Sequence, residues 1–226
     1  MVPLPVLVFE DLATVDFAEV WDTRFVFFCF AVTLVSIGIA AGISCLWKDK
    51  SLQGEFIQVS YRSSAALLGV ALIQNIYGDA GMAPLMMIGS VPLYNVMAVV
   101  VLSFFHPERK GIDREVMKRT VKGIVTNPII IAIVLGLLWS AFRIPMPSIM
   151  QKTVSGIGGM ATPMGLMAMG AAFDVRRAFA KVKPAVAAVF IKLVGFCALF
   201  LPAAVALGFR ESELVAILVM LGSATT

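Results

Sequence analysis

A chain of 226 residues that is 60% apolar and only 14% charged, with a mean hydropathy of +0.94, is not an ordinary soluble domain, in which about a quarter of residues carry charge. Its formal charge of +4 does not point to nucleic acid, because the excess Lys and Arg falls between apolar runs, where anionic lipid head groups meet it. Cys29, Cys45 and Cys197 lie in or at the ends of apolar runs, which leaves no disulfide framework and no metal spacing, and no metal or cofactor is expected.

In chain order, Met1 to Phe9 is apolar but short and ends at the acids Glu10 and Asp11. Six longer apolar runs follow: Phe25 to Leu46, Phe56 to Tyr77, Met82 to Phe105, Val121 to Phe142, Thr153 to Phe173 and Pro184 to Leu207. About 20 helical residues at 1.5 Å each cross the ~30 Å hydrocarbon core, so each run is predicted to span a bilayer. A last apolar run, Leu214 to Thr226, is again short. The two end runs read as cut helices of a longer chain, because a stump alone in lipid leaves backbone groups unpaired. The expected fold is therefore an all-α polytopic membrane protein with six full and two partial transmembrane helices.

The gaps between runs alternate in basic charge. Arg24 is the one base from Glu10 to Arg24, there is none from Gln74 to Pro84, Arg143 and Lys152 share a third gap and Arg210 is alone in the last. The other gaps hold Lys48 and Lys50, then six bases from His106 to Lys122, then Arg176, Arg177, Lys181 and Lys183. Four bases on one side face twelve on the other, and the positive-inside rule makes the rich side cytoplasmic. The protein is expected in the cytoplasmic (inner) membrane, with the 106–120 loop inside the cell.

The two halves echo one another. Pro5-Val-Leu-Val-Phe before Glu10 and Asp11 matches Pro163-Met-Gly-Leu-Met before Asp174, and Gly69 matches Gly222, each after an apolar run rich in small residues. Members of each pair lie five helices apart and point in opposite directions, the inverted-repeat pattern of secondary transporters, whose sites lie where helices are interrupted. The expected parts are residues 1–105 in the first repeat, a basic linker at 106–120, and residues 121–226 in the second.

Four segments carry a resemblance to a known family. QVSYRSSAALLGVALIQNIYG at Gln58 to Gly78, PLYN at Pro92 to Asn95, TNPIIIAIVLGLL at Thr126 to Leu138 and MATPMGLMAMGAAF at Met160 to Phe173 resemble the auxin efflux carrier family, which includes bacterial permeases for malate-like and malonate-like acids. The resemblance covers essentially the whole chain. It implies a five-plus-five inverted repeat running here from the second helix into the ninth, with helices 4 and 9 broken where they cross, and a transport domain moving against a scaffold that commonly dimerises. The chain departs from the family at the breaks: Ala71 and Gly222 stand where prolines are usual, and Ser64 where an Asn is common. Glycine supports an unwound turn through its freedom at positive φ, so Gly69 is expected to carry the first crossing.

A broken helix presents free N–H groups and a positive dipole end, which favour an anion. Ser63 and Ser64 before Gly69, and Ser223, Thr225 and Thr226 after Gly222, are placed to add hydroxyls. Asn95 lies in mid-helix, where it either binds solute or bonds another helix. Lys192 is the one charge deep in a spanning run; it either holds an anion or a proton, or props an unwound backbone by donating to freed carbonyls. Gln58 and Arg62, one turn apart, face a polar entrance or a loop. Tyr94, Met160, Met164, Met167 and Met169 read as packing residues, the Gly38 and Gly42 pair as a close helix contact, Pro128 after Asn127 as a helix start, and His106 as a solvated boundary residue.

Catalysis is not expected. No HExxH or GxSxG pattern occurs, and no acid falls within the six runs. The partners implied are a small organic anion, a lipid bilayer and a second copy of the chain. Coupling to a proton, or none, is preferred to sodium for want of acids in the helices. A sodium-coupled carrier of the bile-acid symporter type and a non-transporting structural fragment are the alternatives.

Overall fold

The computed structural model describes residues 2–14, 21–46, 53–78, 81–104, 114–173 and 182–223. Every regular element among them is helical. In order these are α1 (Pro3–Ala13), α2 (Thr23–Ser44), α3 (Gln53–Tyr61), a π-helical segment (Ala65–Gly69), α4 (Val70–Tyr77), α5 (Ala83–Phe104) and α6 (Arg114–Val125). Then follow α7 (Pro128–Ala141), α8 (Ser148–Gly159), α9 (Ala161–Ala172), α10 (Val182–Phe190), a second π-helical segment (Ile191–Phe196), α11 (Cys197–Ala206) and α12 (Glu211–Gly222). His106, Asp174, Thr225 and Thr226 lie outside the described residues, as do residues 106–113 of the expected 106–120 linker, whose residues 114–120 belong to α6.

Local chemistry sets several ends. The Asp22 carboxylate accepts from the amides of Arg24 and Phe25 and opens α2. Asn127 Oδ1 accepts from Ile129 N–H at 2.9 Å, and Pro128 follows at the first helical position, where its missing N–H is no loss. Gly78, at φ 82°, closes α4 in the left-handed region.

Among the described residues, Thr23–Ser44 and Val182–Ala206 pass the usual length and composition test for crossing a bilayer, and Ala83–Ala98 and Pro128–Ala141 are shorter apolar stretches. Three expected spans are interrupted: Phe56 to Tyr77 at Arg62–Ser64, Val121 to Phe142 at Thr126–Asn127, and Thr153 to Phe173 at Met160. At the amino end α1 does not stop at the acids; it continues through Glu10 and Asp11 to Ala13, and Asp11 is buried. The expectation that the helices lack acids therefore fails for α1.

Pro3 opens α1 and, 158 positions later, Ala161 opens α9, the same offset as Pro5 to Pro163. At that spacing Gly222 falls opposite Ser64 and not opposite Gly69. The two halves interlock through α1, which packs on α7 and α8, and α3, which packs on α10, while α2 packs on α5 and α3 within the first half.

Glycines set the closest approaches, but not the expected ones. A Cβ at Gly89 would lie 2.7 Å from Cys29 Cβ, and one at Gly136 would lie 2.8 Å from Leu12 Cβ, so α2 meets α5, and α1 meets α7, almost backbone to backbone. Phe9 and Trp139 close the second contact edge to face, with centroids 5.8 Å apart. Gly38 and Gly42 face open space. Met160, Met164 and Met167 are exposed on the outer surface and do not pack inside.

Candidate functional site

The first break lies five residues upstream of its expected place. Helix α3 ends at Tyr61, Ser64 takes a non-helical φ of −83° and ψ of 56°, and the chain resumes as a π turn in which Leu68 and Gly69 both donate to Ser64 O at 3.0 Å. Two donors on one carbonyl mark an extra residue in the turn, a device frequent at functional sites. Gly69 and Gly222 are not left-handed. What Gly69 supplies is space: a Cβ there would stand 3.2 Å from Val219 Cγ1 and 3.4 Å from Met86 Cε. Gly69 is thus where α12 crosses the π turn, not where the helix opens.

Opening the helix frees carbonyls, and one of them is taken from far away. Lys192, 4% exposed, sits in the second π-helical segment and donates its ammonium to the carbonyl oxygen of Arg62. Of the two roles read for Lys192, this contact is the backbone-propping one.

A cavity of about 40 Å³ lies at the break, lined by Arg62, Ser63, Ser64, Ala65, Tyr94 and Asn95, with Leu4 of α1 and Ile129 of α7 closing it. The hydroxyls of Ser63 and Ser64 are buried and have no hydrogen-bond partner, and the Tyr61 hydroxyl is in the same condition. Buried polar groups left unpaired are uncommon and costly, and two of these, Ser63 and Ser64, line the cavity. Asn95 Nδ2 donates to Val91 O at 2.9 Å, and Asn127 Nδ2 donates to Asn95 Oδ1 at 3.4 Å, so Asn95 both lines the cavity and ties α5 to the start of α7. Gln58 turns away and donates to Ala98 O.

A second cavity of about 620 Å³ opens at the end of α12, between the π turn and α4 on one side and α9, α11 and α12 on the other. Gly222 and Ser223 line it with Leu68, Asn75, Thr162 and Cys197. Ser223 is extended (φ −71°, ψ 152°), and its buried hydroxyl is also without a partner. The π turn separates the cavities: Ala65 and Ala66 border the small one and Leu68 the large one.

The structure therefore brings Ser63, Ser64 and Asn95 together, brings Lys192 to the neighbouring Arg62 carbonyl, places Gly222 and Ser223 at the second cavity and moves Gly69 to the crossing. Sequence reasoning passed over Tyr61 and Asn127, and read Arg62 as an entrance residue and Tyr94 as packing. The signal for Asn127 was its place as the cap before Pro128; for Tyr94, which lines the small cavity and packs on Tyr61 with ring centroids 5.9 Å apart, no pattern distinguishes cavity wall from core.

The helix interrupted at Arg62–Ser64 and the last helix, α12, cross at Gly69 and Val219. A family model described as "Membrane transport protein" matches residues 1–226. The chain belongs to this family, the auxin efflux carriers. As a membrane transport protein it is an all-α membrane protein of a transporter family, in accord with its apolar helices. No curated protein matches the chain. Among the described residues of this membrane transport protein, no group of three His, Cys, Asp or Glu could hold a metal ion.

Proposed function

We propose that the protein is a secondary transporter that moves a small organic anion, of the dicarboxylate class, across the cytoplasmic membrane by alternating access. The observation that carries this reading is the open helix at Arg62–Ser64, where unpartnered hydroxyls of Ser63 and Ser64 meet the free amide end of the π turn beside two cationic residues, Arg62 and Lys192. Free N–H groups at a helix start and charge-assisted bonds from hydroxyls and guanidinium favour a carboxylate. The small cavity has room for about one water, so a solute enters only when the π turn and its walls separate. The larger cavity on the far side of the same turn offers the second opening that alternating access requires. On this reading Thr225 joins Ser223 in holding the solute, the 106–120 linker faces the cytoplasm, and the functional unit is a homodimer.

Uptake of labelled malate and malonate into vesicles holding the purified chain, with protein-free vesicles as the control, tests the reading. Saturable uptake that each unlabelled acid suppresses supports it; uptake no faster than in the control removes it.

A further inference from the structure

We propose that Asp11 is the proton-carrying group of this transporter, a role that rests on the anion-transport reading above. Asp11 is 9% exposed, and its Oδ2 has no hydrogen-bond partner. It lies in the last turn of α1, which packs on α7, α8, α9 and the first π-helical segment. No titratable or charged residue occurs in α7, in α9 or in that π turn. The only one in α8 is Lys152, which is exposed. On α1 itself the neighbour is Glu10, whose Oε2 would meet a Cβ at Gly158 at 2.8 Å, so the nearest charge along the helix repels a second one. Among the described residues, Arg62 shares the small cavity with Leu4 of α1.

An ionised carboxylate with no partner is an expensive group to bury, whereas the neutral acid buries only a hydroxyl and a carbonyl. The arrangement in which α1 is packed therefore holds Asp11 as the acid, and one in which water reaches it lets the proton go. Leu4 is seven residues before Asp11 on the same face of α1, about 10 Å along its axis, and it walls the anion cavity. One rigid helix thus carries both the proton site and part of the anion site, and any movement that opens the cavity past Leu4 also shifts Asp11. A proton that binds one arrangement better than the other biases the anion site by the same free energy. The step moves a proton only: the O–H bond on the Asp11 carboxyl forms from water on one side and breaks to water on the other.

Two measurements on the full chain test this. Infrared spectra in lipid at neutral pH are expected to show the carbonyl stretch of a protonated carboxylic acid, lost in Asp11→Asn and kept in Asp11→Glu. Its absence from the unaltered protein overturns the proposal without reference to any solute. In vesicles with the membrane potential clamped, steady-state accumulation of labelled malate is expected to rise about tenfold per pH unit of alkaline interior for each coupled proton. Asp11→Asn is expected to lose this dependence in whatever uptake remains. Malate uptake that ignores the gradient, or a gradient response that survives in Asp11→Asn, or one that follows sodium instead, overturns the proposal and leaves anion transport standing. No malate uptake at all overturns both.

Discussion

The ammonium of Lys192 donates to the carbonyl of Arg62, 130 residues earlier in the chain, and joins a π-helical segment in one half to the open helix in the other. A charge is costly in this position unless it is bonded, and a carbonyl freed by an interrupted helix is costly unless it is taken. Each solves the other's problem. Lys192→Met is expected to orphan the Arg62 carbonyl, lower stability by about 1–3 kcal/mol and abolish anion uptake, while the protein still inserts into the membrane. Paired thermal melts and vesicle uptake measure this, and full uptake by the variant would exclude any role for Lys192 in the cycle.

Ser63 and Ser64 allow structure and function to be separated. Their hydroxyls bond nothing, so removing them relieves a buried unpaired group and does not break a contact. Ser63→Ala and Ser64→Ala are expected to leave the melting temperature unchanged or raise it. Each is also expected to weaken anion uptake about tenfold or more, the scale of a hydrogen bond to a charged group. A fall in melting temperature together with normal uptake would assign the serines to the fold alone.

Gly69 is a contact residue, and its replacement has a specific remedy. Gly69→Ala places a methyl 3.2 Å from Val219 Cγ1, tighter than an ordinary contact, and is expected to cost about 1–3 kcal/mol as overpacking. Val219→Ala removes the opposing methyl groups, and the double variant is expected to recover much of the loss. The check is a double-mutant cycle on denaturation in detergent; purely additive losses would show that the crossing is not made there.

Two kinds of glycine are expected to respond in opposite ways. Gly89→Ala and Gly136→Ala push a methyl to within 3 Å of Cys29 and Leu12 and are expected to destabilise by about 1–3 kcal/mol or prevent folding. Gly38→Ala meets nothing and is expected to be neutral or stabilising by up to about 1 kcal/mol, because alanine is the better helix former. Thermal stability of the purified variants decides. A strong loss in Gly38→Ala would show that its open face is covered in the working protein.

The amino-acid sequence alone determined the class of this protein and the run of its apolar helices. Those properties follow from hydropathy and helix length, which are sums along the chain and do not depend on what touches what. Four short segments also carried the family. Pro5 and Pro163 stand at the same spacing as the starts of α1 and α9, an offset the sequence displays by itself. Gly69 misled because a glycine before a polar stretch reads the same whether it frees the backbone or makes room for another helix. Only the tertiary structure decided between the two, through Val219 arriving from 150 residues away. It alone put Lys192 on the Arg62 carbonyl, buried Asp11 within a helix that the apolar run seemed to end before, and showed that Ser63 and Ser64 have no partner. Partnership and burial depend on which segments pack together, and hydropathy along a single chain carries no record of that.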